Sequence, residues 1–326
     1  LRTGGQTLLL FSDPIKVSIL RLLARRSLQT AELGERLQNV SRSTRFARLR
    51  ELEGLGVIAR EKRGGAPPVT HCRLTASGRE LLSVGALLEV WLRQAPGQSI
   101  ALGGASATLT IKALTLGWGS TLLRWLAERP RSLGEVEPLV SDVGYRELER
   151  ILRNLIDVGL AERVPGGQRT RPYALTDWAR ESVAPLGAAM RWERRHIPER
   201  GAPLTAIDAE GGLLLALPLI ELPMGIDGDC TLVVDTDAAG AERTGRVAAQ
   251  IADGRIAPNA LPNGSGPGHK WVRGTAWAWL DAVIEGRPTT LQASCGGDLA
   301  ESLIDGLRLA LLRRLTRAPG RVFDVS

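Results

Sequence analysis

Arg146, Arg150 and Arg153 stand at i, i+4 and i+7 along a stretch whose Leu148, Ile151, Leu152 and Leu155 make a separate apolar stripe. At about 100° per residue on a helix, the guanidiniums fall roughly half a turn from the leucines. Such a helix is anchored by its apolar side and offers three planar, permanently charged donors outward, as entry into a DNA major groove requires. A solvated charged face has the same pattern, so the neighbouring residues must decide. Tyr145 opens the stretch, and Arg169 and Arg171 flank a Gly166-Gly167 tip beyond it. Arg60, Lys62 and Arg63 lead into a similar Gly64-Gly65 tip earlier in the chain. A hairpin with cations at its tip reaches phosphates or the minor groove beside an inserted helix, which favours nucleic acid over a bland surface.

The earlier tip is preceded by its own candidate helix. Its outward positions are Ser43, Ala47 and Arg50, flanked by Arg42 and Thr44. Small hydroxyls and Ala touch base edges and thymine methyls, so this face also suits DNA. Arg45 falls where the later helix has Leu148, Phe46 is expected to supply the packing instead, and Arg48 replaces Ile151. The two helices are therefore not equivalent, and if both engage DNA they should read unequal half-sites.

The elements that position these side chains occur twice. ILRLLARR (Ile19 to Arg26) returns as LLRWLAER (Leu122 to Arg129), and LRELEGLGVIAR (Leu49 to Arg60) as LRNLIDVGLAER (Leu152 to Arg163), both at an offset of 103 residues. LTASGRE (Leu74 to Glu80) returns as LTDWARE (Leu175 to Glu181), and Trp91 as Trp192, at 101. One slightly shorter loop accounts for the change. Two copies are too few for a solenoid, which needs about three repeats, so a paired module is expected. In the first copy Pro14 suits a first helical turn capped by Asp13 or Ser12, with Ile15, Ile19, Leu22 and Leu23 as its stripe. A short helix follows from Thr30 to Leu37; its counterpart begins with the capping-box pattern Ser132-Leu133-Gly134-Glu135. The third helices open near Ser41 and Gly144 and stop at Gly56 and Gly159. Two short strands then enclose each Gly-Gly tip: Val57 to Arg60 with Val69 to Leu74, and Leu160 to Arg163 with Arg171 to Leu175. Three helices and a two-stranded wing make a winged helix-turn-helix. The long helix after each wing carries Leu81, Val84, Leu88 and Trp91, or Val183, Leu186, Met190 and Trp192, and its tryptophans are expected as interface or core packing rather than a ligand cage.

The stretch from Val40 to Ile58, the stretch from Val143 to Leu160, the segment Arg171 to Glu181, and Arg191 to His196 resemble HxlR-type winged-helix regulators, with a helix signature shared by MarR- and PadR-like relatives. The resemblance spans residues 12–196. It implies homodimers with one winged helix per chain that repress or activate promoters. This sequence departs in carrying two copies and in lacking the Cys usual near that family's N-terminus. The first departure points to a single-chain pseudo-dimer, although a homodimer stays open. The second removes a thiol switch at that place.

Charge follows the repeat. Of the 42 Lys and Arg, 31 lie in residues 1–200 against 20 acidic residues; the remainder holds 11 against 15. The positive field thus belongs to the duplicated part. Cys72, Cys230 and Cys295 are odd in number and far apart, which excludes an intrachain disulfide framework and fits a reducing cytoplasm. His71 beside Cys72 is a poor metal pair. No apolar run is long enough to span a membrane, and the opening LRTGGQTLLLFSDP does not read as a signal peptide. There is no nucleophile elbow, Walker loop, dinucleotide fingerprint or metal-spaced cluster, so neither an enzyme nor a cofactor is expected.

Beyond Pro198 to Pro203 the pattern changes. Leu213 to Ile220, Thr231 to Asp235 and Val247 to Ile251 read as strands, and Asp253-Gly254 as a hairpin turn into Arg255. Pro258 to Gly268 reads as a loop, Thr275 to Ile284 as a helix, and Leu299, Leu303, Leu307, Leu311 and Leu315 as the stripe of a last helix. Residues 205–315 resemble a sterol-carrier-type lipid-binding domain through this meander, the Trp271 to Leu280 step and the terminal helix. That resemblance implies an apolar cavity between sheet and helices, with Trp271, Trp277 and Trp279 either lining it or serving as ordinary core.

The expectation is an α+β chain: residues 1–96 a first winged-helix domain, 97–116 a Gly-, Ala-, Ser- and Thr-rich linker, 117–200 a second winged-helix domain, and 201–326 a smaller α/β ligand-binding domain. The expected partners are double-stranded DNA and a small apolar ligand, with no membrane. An alternative is a non-enzymatic carrier or interaction protein whose winged helices contact protein.

Overall fold

The computed structural model describes residues 4–64, 69–140, 143–165, 171–197, 205–235, 244–260, 270–284, 286–287, 290–294 and 298–317. The chain begins with a short helix α1 (Gly5–Leu10), then α2 (Pro14–Arg25), a two-residue strand β1 (Leu28–Gln29), α3 (Thr30–Arg36), α4 (Arg42–Gly54), β2 (Ile58–Arg63), β3 (Val69–Leu74) and the long α5 (Ala76–Arg93). Asp13 caps α2 by accepting from the Ile15 and Lys16 amides, and Ser41 caps α4 by accepting from Thr44. The three strands pair antiparallel in the order β1-β3-β2.

The same order then recurs. Helices α6 (Ala105–Thr115), α7 (Gly117–Glu128), α8 (Leu133–Val136) and α9 (Tyr145–Asp157) lead to strands β4 (Ala161–Arg163) and β5 (Tyr173–Leu175), then to α10 (Asp177–Glu181) and α11 (Val183–His196). Helices α2 and α4 shifted by 103 residues give the bounds of α7 and α9. Even the small strand is echoed, since the Leu28–Cys72 pairing reappears as an isolated bridge between Arg131 and Tyr173. Each unit also ties its third helix to its last by one hydroxyl. Thr75 Oγ1 donates to the Gly56 carbonyl (2.6 Å) and accepts from the Gly78 amide; Thr176 Oγ1 does the same with Gly159 (2.8 Å) and Ala179. Both glycines hold a positive φ, where a side chain would be strained.

Residues 97–116 are not simply a linker. Ala105–Thr115 is helical, buries Ala107, Ile111 and Leu114, and packs on α1 and α7. Its small residues, which resemble linker composition, allow close helix approach instead.

The two units meet through α5 against α11. Trp91 and Trp178 stack with centroids 4.5 Å apart at 8°, and each indole N–H donates to the other residue's carbonyl at 2.8 Å. Shifting Trp91 and Trp178 by 101 in opposite directions gives Trp192 and Ser77, and Trp192 Nε1 indeed donates to the Ser77 carbonyl (2.9 Å). A contact in which i meets j′ and i′ meets j is the signature of a two-fold interface, here inside one chain. Trp91 and Trp192 are thus interface residues, as their spacing suggests. One contact breaks the symmetry. The buried Glu193 carboxylate on α11 accepts from the Gly4 and Thr7 amides at the start of α1, and burial pushes its pKa up despite those two bonds.

The third region opens with α12 (Ala206–Ala216), continues through strands β6 (Gly228–Asp235), β7 (Gly245–Ala252), β8 (Arg255–Ala260) and β9 (Lys270–Thr275), then α13 (Ala276–Val283), β10 (Gln292–Ala293) and α14 (Asp298–Arg317). The sheet order is β10-β9-β6-β7-β8, with only β6 and β9 parallel. Asp253 and Gly254 turn the β7–β8 hairpin, both at positive φ. The strand expected over Leu213 to Ile220 is instead the end of α12 and a 3-10 turn. Leu213, Leu214, Leu215 and Leu217 are all buried, so no polar face marks a helical period there. Lys270 to Arg273 lies within strand β9. Among the described residues no helix is long and apolar enough to cross a membrane.

Candidate nucleic-acid interface

Helix α4 is held by Leu49 and Leu52, which are buried against α2 and β2. That anchoring leaves Arg42, Ser43, Ala47 and Arg50 exposed, with Thr44 half-buried because its hydroxyl sits 2.7 Å from Ser41 Oγ in the cap. Phe46 does not replace Leu148 in the core. It is 39% exposed, and the Arg50 and Arg60 guanidiniums lie over its ring at 5.7 and 5.4 Å. Arg45 takes the inward direction and donates to the Gly34 and Leu37 carbonyls, fastening α4 to the end of α3. Arg48 is drawn off the outer face by Asp13 (2.6 Å) and Glu51 (2.8 Å).

The wing of this unit, β2 with β3, carries an exposed Lys62. Arg60 is tied to Glu53 on α4, which fixes the wing against the helix and raises the Arg60 pKa. The Arg63 side chain and residues 65–68, including Gly65, lie outside the described residues. Arg42, Arg50 and Lys62 make no described ion pair, so this face presents uncompensated cations around the small side chains of Ser43 and Ala47.

Helix α9 keeps the pattern read from its sequence. Leu148, Leu152 and Leu155 are fully buried, and Tyr145, Arg146, Arg150 and Arg153 are exposed. Two of the three arginines carry an intrahelical partner: Arg150 with Glu147 (2.6 Å) and Arg153 with Glu149 (3.0 Å). The hydrogen bond from Arg150 holds the Glu147 carboxyl below its usual range, so both stay charged. These pairs are solvent-exposed and contribute little, so phosphates can displace them. Arg171 is exposed beside β5, whereas Arg169 and the Gly166-Gly167 tip lie outside the described residues.

The ligand-site expectation needs correction. Of the three tryptophans, only Trp279 lines the apolar cavity of the third region, and its N–H is already spent on the Val233 carbonyl (2.8 Å). Trp277 lies under the Arg194 guanidinium at 4.9 Å, and the Trp271 amide donates to Ser294 on the sheet edge. The cavity is walled by α11, α12, α13 and α14, with Val234 of β6 as the sheet's contribution. Leu186, Gly187 and Met190 escape sequence reasoning as wall residues because they share a helix with the interface tryptophan. Cys72 and Cys230 are buried free thiols, and Cys295 and His269 lie outside the described residues.

Residues 11–99 match the family model described as HxlR-like helix-turn-helix. The match spans the first unit, from the end of α1 through α5. No curated protein and no solved structure matches the chain.

Proposed function

We propose that this protein is a non-catalytic, DNA-binding transcription regulator that works as a single-chain pseudo-dimer. In this reading both units are winged helix-turn-helix modules, with α4 and α9 entering successive major grooves of one pseudo-palindromic site and the wings on the flanking phosphates. The observation that carries it is the exposed, uncompensated Arg42, Arg50 and Lys62 around Ser43 and Ala47, on a helix within the segment that matches an HxlR-like helix-turn-helix. The two-fold pattern of Trp91–Trp178 and Trp192–Ser77 hydrogen bonds supports the pseudo-dimer, since it reproduces inside one chain what two subunits make between them. The third region, sterol-carrier-like in this reading, takes a small apolar effector, and the protein works in the cytoplasm.

Fluorescence anisotropy on random and genomic upstream duplexes across a salt series tests the proposal. Sequence-selective binding with a log–log slope of roughly −0.9 per phosphate neutralised supports it. Absence of binding at low salt would make the units protein-contact modules instead.

A further inference from the structure

We infer that Phe46 is a positioning residue that makes Arg50 a guanine reader, so that the half-site entered by α4 carries a guanine that α9 does not demand of its own. This rests on the regulator reading and names a base that the first half-site contains.

The duplication supplies the comparison. Arg50 on α4 and Arg153 on α9 are counterparts at the 103-residue offset, and so are the residues four places before them, Phe46 and Glu149. Residues i and i+4 lie side by side on a helix. Arg153 is accordingly held by a carboxylate, its Nη2 donating to Glu149 at 3.0 Å. Arg50 is held by an aromatic ring instead, its guanidinium carbon 5.7 Å from the Phe46 centroid. Among the described residues Arg50 has no carboxylate partner.

The two partners leave different chemistry free. Glu149 takes up a donor of Arg153 and cancels its charge. A charged phosphate competes with that carboxylate, whereas a neutral base edge makes a weaker bond and competes poorly. A ring attracts the cation through its quadrupole and takes no N–H. Arg50 thus keeps its charge and its whole donor fork while its rotamers are narrowed. A two-bond contact to O6 and N7 of guanine needs that fork, free and pre-oriented.

Phe46 is itself placed for the task. It is 39% exposed although Leu49, three residues on, is buried, so the ring is not spent on the core. Arg60 of β2 lies over it at 5.4 Å, and Arg60 is fixed in turn by donating from Nε to Glu53 of α4 at 2.8 Å. The ring is therefore held between its own helix and the wing. The second unit spends these positions differently: Ile156 stands where the first has Glu53, and Arg163, the counterpart of Arg60, lies over Tyr173.

The test begins with duplexes selected from a random library by the full chain, whose binding is then followed by fluorescence anisotropy. One half-site should hold a guanine whose replacement by 7-deazaguanine, which lacks the N7 acceptor, weakens binding about tenfold. Arg50→Ala should erase that dependence. Phe46→Leu keeps an apolar side chain without a quadrupole and should shrink the dependence to about threefold, and Phe46→Trp should restore it. The salt slope should stay the same in both Phe46 variants, since no charge has changed. The ring is exposed, so neither change threatens the fold. Glu149→Phe should create a guanine preference at the half-site entered by α9, and an unchanged preference there would overturn the role given to the i, i+4 partner. A dependence that Phe46→Leu leaves whole, or that Phe46→Trp fails to restore, would overturn the positioning by Phe46. Selective binding with no guanine dependence on Arg50 would overturn the assigned base and leave the regulator reading standing. A chain that selects no duplex at all would overturn the regulator reading, and this assignment with it.

Discussion

The two units share a backbone plan and diverge in what they place on it. On α9 the outward positions are three arginines, two of them paired with Glu147 and Glu149. On α4 the same positions are Ser43, Ala47 and Arg50, with further cations at Arg42 on the helix and Lys62 on the wing. A guanidinium can neutralise phosphates or grip a guanine edge with two bonds, whereas a small hydroxyl or methyl carries no charge and meets only a base edge or a thymine methyl. The comparison teaches that a duplicated module can divide its work. On the proposed reading, the second helix would supply more of the affinity through its charge, and the first more of the discrimination.

The units also differ in what they attach to. Arg21 on α2 and Arg124 on α7 are counterparts at the 103-residue offset. Arg21 pairs with Glu89 of its own unit (3.2 Å), whereas Arg124 pairs with Glu210 of α12 (2.8 Å). The same surface that closes the first unit on itself is used by the second to hold the third region. Burial pushes the Glu210 pKa up, and the adjacent Arg124 opposes that shift.

The sharpest break of this comparison is an exchange of the inward position. Leu148→Arg would bury a charge at a site with no exposure and should destabilise the chain by about 4 kcal/mol or more in chemical denaturation. The counterpart Arg45→Leu loses only bonds to two carbonyls and should cost about 1 kcal/mol. Equal costs would mean that the two helices are seated alike. Next in size is the docking pair. Glu210→Ala should cost about 3 kcal/mol, since Arg124 would stay 16% exposed without its carboxylate, whereas Glu89→Ala, facing a 39% exposed Arg21, should cost under about 1 kcal/mol.

The division of work has its own test in binding. Changing Arg146, Arg150 and Arg153 together to Ala should weaken DNA binding by about 100-fold and flatten the salt slope by roughly 0.9 for each phosphate no longer neutralised. Replacing Ser43 by Ala should shift sequence preference by about fivefold at unchanged slope, because a hydroxyl that bonds a base edge carries sequence information but no charge. The smallest effect is a gain. Glu147→Gln with Glu149→Gln removes two like charges from the phosphate-facing side and should tighten binding by about threefold. Looser binding would show that those pairs orient the arginines rather than occupy them.

Acid distinguishes the units as well. Glu32 and Glu135 are counterparts, each closing a capping box, at Gln29 and Ser132. The backbone bond from Ser132 and the bond from Arg129 bring Glu135 down to about 2, and the Gln29 amide lowers Glu32. A carboxyl whose folded pKa is depressed stabilises above its unfolded value and ceases to do so as pH falls through the folded one. Helix α8 should therefore lose its cap between about pH 4.5 and 2, followed by amide exchange at Glu135 and Val136; a loss already complete above pH 4.5 would contradict this.

Much of this is legible in the residues. Caps, Gly stops and wing strands follow from local rules, so the repeated plan and the exposed arginines of α9 can be read directly. What escapes depends on tertiary surroundings. Leu213, Leu214 and Leu215 of α12 are all buried and show no period, α6 has linker-like composition, and Arg45 finds its carbonyls only once α3 has been placed. The stacking of Trp91 on Trp178 joins residues that no sequence offset relates. The expected place of the cavity is between sheet and helices, but α11, which belongs to the second unit, supplies one wall.

On the proposed reading, one chain occupies both halves of one site. Binding stoichiometry and footprint on a selected operator, measured by analytical ultracentrifugation and hydroxyl-radical protection, test it most directly. One chain per duplex with protection over two half-sites about one helical turn apart is the expected result. Two chains per duplex, or protection of a single half-site, would contradict the pseudo-dimer.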